Sequence, residues 1–131
     1  MSESIVIVGT GQAGFQAASS LRQGGFEGQV TLVGEEPELP YQRPPLSKAF
    51  LKGEGDPSEV HLRPETFYGS KDIALVSGDR AEELDREART VTLASGRELP
   101  YDHLVLATGS RPRELPVPGA GLDGVLLLRT V

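Results

Sequence analysis

The chain has 131 residues, of which 37% are hydrophobic and 24% charged, and a formal net charge of −6. That size supports one domain with a real core but hardly two. The acidic balance argues against nucleic acid or an anionic membrane as the main partner, and the apolar runs are too short to cross a bilayer. With no cysteine, the chain forms no disulfide, holds no iron–sulfur cluster and offers no thiol nucleophile. Two histidines, His61 and His103, lie far apart without ligand spacing, so no metal site is expected. The start Met1-Ser-Glu-Ser4 lacks the basic residues of a signal peptide, and cytoplasmic residence is the expectation.

The chain opens on Ile5-Val-Ile-Val8, four β-branched residues that read as a strand buried on both faces. Gly9, Gly11 and Gly14 follow with the G-x-G-x-x-G spacing. Gly9 permits a tight turn, Gly11 lets the backbone approach a pyrophosphate, and Gly14 lets the next helix pack closely on the strand. The helix carries Ala13, Gly14, Ala18 and Leu21 near one face, Gln16, Ser20 and Arg22 elsewhere, and stops at Gly24 and Gly25. A second apolar run, Val30 to Val33, leads to Glu35, roughly twenty residues past the last motif glycine, where a carboxylate meets a ribose hydroxyl in a dinucleotide-binding βαβ unit.

Residues 37–48 are proline-rich and stiff, since Pro37, Pro40, Pro44 and Pro45 each fix φ and remove a donor. Arg43 and Lys48 fit either a binding loop for an anionic or electron-rich ligand or an extended linker with solvated charges. Ser47 is placed to cap a short helix through Leu51, Gly53 to Ser58 reads as a loop, and a brief helix starts at Pro64. Ile73 to Val76 reads as the third core strand. The period then changes to two: Ala81–Leu84, Val91–Leu93 and Glu98–Leu99 predict a meander with Gly96 at a turn. Ala81, at the start of the first of these strands, is placed to offer its backbone to a ligand edge. Tyr101 to Gly109 predicts a fourth buried strand ending in Ala107, Thr108 and Gly109, small enough for a ligand or another backbone to come close. Residues 110–119 leave the core, and Val125 to Leu128 is a last apolar run. The fold class expected is α/β: a Rossmann-like dinucleotide-binding βαβ unit with a parallel sheet and a small antiparallel meander. No helix closes the sheet after residues 104–107, which suggests a fragment of a longer enzyme.

The combination of Val8-Gly-Thr-Gly-Gln-Ala-Gly14, Arg43-Pro-Pro-Leu-Ser-Lys48 and Leu104-Val-Leu-Ala-Thr-Gly-Ser-Arg-Pro-Arg113 resembles the N-terminal part of FAD-dependent ferredoxin reductases of the rhodocoxin and putidaredoxin reductase family. These serve haem monooxygenases and aromatic-ring dioxygenases. Apoptosis-inducing factor shares the Pro37 to Lys48 passage more distantly; the acidic charge and the lack of a presequence rank that likeness last. The resemblance implies that Gly9, Gly11, Ala13 and Gly14 line the FAD pyrophosphate, and that Glu35, with Glu36 assisting, binds the adenosine ribose. It implies FAD contacts for Arg43, Lys48 near the isoalloxazine, Ala81, Ala107, Thr108, Gly109 and Arg129. No side chain is implied in covalent chemistry.

The implied reaction of the parent is hydride transfer from NADH or NADPH to FAD, then single electrons to a small iron–sulfur redoxin. Residues 1–131 would be the N-terminal part of the FAD-binding domain. A second G-x-G-x-x-G, the later FAD segment and the C-terminal domain are missing, so this chain alone is not expected to turn over, and its exposed apolar surface is expected to self-associate. The alternative is a stand-alone FAD- or nucleotide-binding module without activity.

Overall fold

The computed structural model describes residues 2–131. In chain order the elements are β1 (Ser4–Val8), α1 (Gln12–Gln23), β2 (Gln29–Val33), 3-10 turns at Pro44–Ser47 and Pro57–Val60, and α2 (Glu65–Ser70). Then come β3 (Ile73–Val76), β4 (Ala81–Asp85), β5 (Thr90–Leu93), β6 (Glu98–Pro100) and β7 (His103–Leu106). Four strands pair in parallel in the order β3-β2-β1-β7, and β4-β5-β6 form a separate antiparallel meander. Ser4 lies opposite Gln29 in β2, and Ile5 opposite His103 in β7.

The β-branched run of β1 is apolar at every position because both its faces are covered. Ile5 and Ile7 join Val30, Leu32 and Ile73 under Phe15 and Ala18 of α1 and Tyr68 of α2. Val6, Val8 and Val33 turn the other way and meet Val91, Leu93 and Leu99 of the meander. The result is a helix layer, a parallel sheet and a small second sheet. Ile7 and Leu32 are fully shielded, each contributing roughly 1.5–3 kcal/mol by leaving water. Among the described residues no helix is long and apolar enough to cross a membrane.

The structure corrects several local expectations. The strand before Ala107 is an edge, not a buried strand: β7 pairs only with β1, and Leu106 is 64% exposed. β3 forms the other edge, with Ile73 buried and Leu75 and Val76 half-buried. On α1 the face against the sheet is Gly14, Phe15 and Ala18, while Ala13 is exposed. Ser47 does not cap a helix but ends the 3-10 turn that begins at Pro44. Two adjacent prolines preset φ there and supply no N–H, which favours one tight turn over a longer helix. Residues 53–58 are not all loop, because Asp56 accepts from the Ser58 N–H and starts the second 3-10 turn.

Candidate functional site

Three chain reversals meet at the N-terminus of α1, beyond the carboxyl ends of β1, β2 and β7. Parallel register brings Val33 and Leu106 to either side of Val8, so residues 9–11, 34–36 and 107–109 emerge side by side. Main-chain bonds lock the junction: Gly9 N–H donates to Val33 O at 2.8 Å, Ala107 N–H to Val8 O at 2.8 Å, and Gly34 N–H to Val76 O at 2.8 Å. The packing leaves no room for side chains. Gly9 sits at φ +123°, and a Cβ there would overlap the Ala107 carbonyl; one on Gly14 would overlap the Gly9 carbonyl, and one on Gly34 the Thr10 side chain. Gly11 differs: nothing lies within 4 Å of the position its Cβ would take.

That open space lies over the first turn of α1, which has no acidic residue and no side-chain cap on its amides. A bare helix N-terminus with its positive dipole end and unblocked amides suits a phosphate-bearing ligand. Glu35 stands at the exposed rim, bonded among the described residues only to Arg111, at 3.1 Å, with side chains 52% and 72% exposed. Such a surface pair contributes well under ~1 kcal/mol and yields readily. Main-chain bonds from Gly78 N–H to Glu36 O and from Asp79 N–H to Gly34 O bring the start of the meander, and with it Ala81, alongside the same turn.

The proline-rich passage comes to the site from the other side. Arg43 is half-buried and pairs with Glu36 at 2.6 Å, while its Nη1 donates to the Tyr41 hydroxyl oxygen at 2.9 Å and to the Arg129 carbonyl at 2.6 Å. The Tyr41 hydroxyl in turn donates to Glu36. Burial and that carboxylate raise the Tyr41 pKa above its usual value. A cavity of about 90 Å³ lies between Arg43, Leu46, Ser47, Leu128 and Arg129. Lys48 is exposed; its ammonium donates to the Pro44 carbonyl at 3.3 Å, and among the described residues it has no ion-pair partner.

Of the residues expected from sequence, Gly9, Gly11, Ala13, Gly14, Glu35, Ala107, Thr108 and Gly109 converge on one junction. Arg129 joins them, its guanidinium 3.4 Å from the position of a Cβ on Gly109. Ala81 flanks the junction, paired with Leu93 and packed against the meander core. Arg43 and Lys48 sit on the proline-rich wall. Sequence reasoning missed Thr10 and Gly34, whose mutual fit shapes the turn after β1, and Tyr41. It gave Glu36 only an assisting role. An aromatic and a carboxylate five residues apart in an irregular loop form no periodic pattern, so spacing offered no signal.

A family model described as pyridine nucleotide-disulphide oxidoreductase matches residues 3–131. Rhodocoxin reductase of Rhodococcus erythropolis is 54% identical over 127 residues, which are 97% of this chain and 30% of that protein. A putidaredoxin reductase of Pseudomonas putida is 45% identical, covering 88% of this chain and 27% of the relative. Among solved structures, a ferredoxin reductase from Rhodopseudomonas palustris superposes with a TM-score of 0.92 at 53% identity, over 98% of this chain and 31% of that one. A covalent putidaredoxin reductase–putidaredoxin complex gives 0.84 at 44% identity, over 89% of this chain and 28% of that one. The chain thus spans less than a third of the length of each of these relatives. On the match of nearly its whole length to that family model, the chain belongs to the pyridine nucleotide-disulphide oxidoreductase family.

Proposed function

We propose that residues 1–131 are the N-terminal part of the FAD-binding domain of an NAD(P)H-dependent ferredoxin reductase. The parent passes electrons to a small iron–sulfur redoxin that serves a haem monooxygenase or a ring dioxygenase, and it works in the cytoplasm. The observation that carries this reading is the open space at Gly11, framed by three interlocked turns above an uncapped helix N-terminus. Names of the similar proteins, reductases of rhodocoxin, putidaredoxin and ferredoxin, support the partner class.

Each residue has a part in that reading. Gly9 and Gly14 bring strand and helix together, Gly11 keeps the phosphate position clear, and the Ala13 edge of α1 faces solvent where a ligand lies. Glu35 accepts from ribose hydroxyls after releasing Arg111. Ala81 and the Ala107-Thr108-Gly109 turn present main chain, and Arg43 and Arg129 supply positive charge on the proline-rich side. Lys48, unpaired, places its cation beside the ring and stabilises negative charge there. When bound, FAD supplies the redox chemistry, taking a hydride from NAD(P)H and releasing single electrons. The side chains bind, orient and tune.

The test is an absorption spectrum of the purified chain after incubation with excess FAD and desalting, backed by an equilibrium titration followed by flavin fluorescence. Saturable binding that weakens about tenfold or more in Glu35→Ala and Lys48→Ala is expected. A titration showing no binding, or one indifferent to both substitutions, would overturn the assignment of this site.

A further inference from the structure

Glu36 stands next to Glu35 but in different surroundings. Its side chain is 20% exposed against 52% for Glu35. One carboxylate oxygen accepts from Arg43 Nη2 at 2.6 Å and the other from the Tyr41 hydroxyl. Arg43 spends its second terminal nitrogen on the Tyr41 oxygen and the Arg129 carbonyl, at 2.9 and 2.6 Å. The Tyr41 oxygen also accepts from the Val131 N–H at 3.3 Å. The guanidinium lies over the Tyr41 ring, 5.1 Å from its centroid. Both terminal nitrogens of Arg43 are therefore engaged inside the protein, and the cluster meets the main chain of the last residues at Arg129 O, through Arg43, and at Val131 N–H, through Tyr41.

We infer that Glu36 and Tyr41 are positioning residues that act through Arg43: they aim its guanidinium at the Arg129 carbonyl and fasten residues 129–131 across the junction, with the Arg129 side chain beside Gly109. Glu36 sets the plane of the fork, Tyr41 supplies the surface on which it stacks, and the fork grips the backbone. A planar guanidinium serves three acceptors in fixed directions, which a lysine ammonium does not reproduce. The fastening stands on geometry alone. Its consequence for FAD rests on the reading proposed above.

Backbone ¹⁵N relaxation and FAD titration of Glu36→Gln, Tyr41→Phe and Arg43→Lys separate the two. In the unsubstituted chain the amides of 129–131 are expected to be as ordered as those of β1. In Glu36→Gln and Arg43→Lys they should loosen to the level of a free chain end, while the amides of Ile7 and Leu32 keep their order. Tyr41→Phe should loosen Val131 most. FAD should bind about tenfold more weakly to Arg43→Lys although its charge is kept. Residues 129–131 that are mobile in the unsubstituted chain, or equally ordered in Glu36→Gln and Arg43→Lys, would overturn the inference. So would a loosened Arg43→Lys that binds FAD undiminished. An unsubstituted chain that is ordered at 129–131 but takes no FAD would overturn the cofactor reading instead, leaving the clamp established by relaxation.

Discussion

Gly9 and Gly11 stand two residues apart in one motif and answer to different constraints. Gly9 combines a left-handed φ with a carbonyl where its Cβ would be. Gly9→Ala is therefore expected to destabilise the fold by about 3 kcal/mol, through strain and displacement of the β7 turn. Gly11 has extended dihedrals any residue adopts and open space around it. Gly11→Ala should shift stability by less than ~1 kcal/mol while weakening FAD binding about tenfold; urea denaturation and the flavin titration read the two effects apart. Tyr68 makes a different case. It is 3% exposed, its ring packs edge-on to Phe67 at 5.4 Å, and its hydroxyl has no hydrogen-bond partner among the described residues. Tyr68→Phe should thus stabilise by about 1 kcal/mol at neutral pH. Burial pushes the Tyr68 hydroxyl up to about 12 from an ordinary 10.0. A raised pKa means stability is full below pH 10 and falls as pH rises from there to about 12, so the Phe variant should lose less stability between neutral pH and about pH 11. The roles of Gly9 and Gly14 were legible in the sequence because a left-handed turn and close backbone approach admit little else. The duty of Glu36 was not, since spacing pointed to its neighbour and the Glu36 partners meet only once the loop has folded.

At the scale of elements, Arg22 links three of them without being part of any binding motif. Its Nε donates to Lys71 O at 2.8 Å, Nη1 to Phe26 O and Gly28 O at 2.7 and 2.8 Å, and Nη2 to Asp72 O at 2.7 Å. Asp72 turns the chain into β3 at φ +52°. Arg22→Gln leaves several carbonyls unserved and should cost about 2–3 kcal/mol, with amide exchange rising first at Phe26, Gln29 and Ile73. The sequence placed this arginine off the packed face; its reach to a turn some fifty residues away follows from tertiary packing. The strands and both α-helices were legible because burial imposes a period. The 3-10 turns carry no such period, and an apolar run like residues 104–106 reads the same at the middle of a sheet as at its edge.

The molecule as a whole leaves apolar surface uncovered. Leu106, Leu115, Leu122 and Leu126 are each more than 60% exposed, and Val125, Leu127 and Leu128 about half. Exposed apolar surface on this scale associates in water, so light scattering should show the isolated chain forming dimers or larger species as concentration rises, and Leu126→Glu should shift the mass toward monomer. The overall architecture was the most legible level, because three glycine-marked turns and alternating strands and helices admit few topologies. The pairing of β1 has one more consequence. Its partner β2 follows after a single helix, but Ser4 meets Asp102 across a separation of 98 residues. On the ribosome, residues 4–36 are therefore synthesised long before Ala107, which completes the junction. Closing the junction thus needs a long-range contact, and contacts of this kind form slowly. On the reading proposed above, the junction offers FAD its full set of main-chain groups only once residues 107–109 have been made.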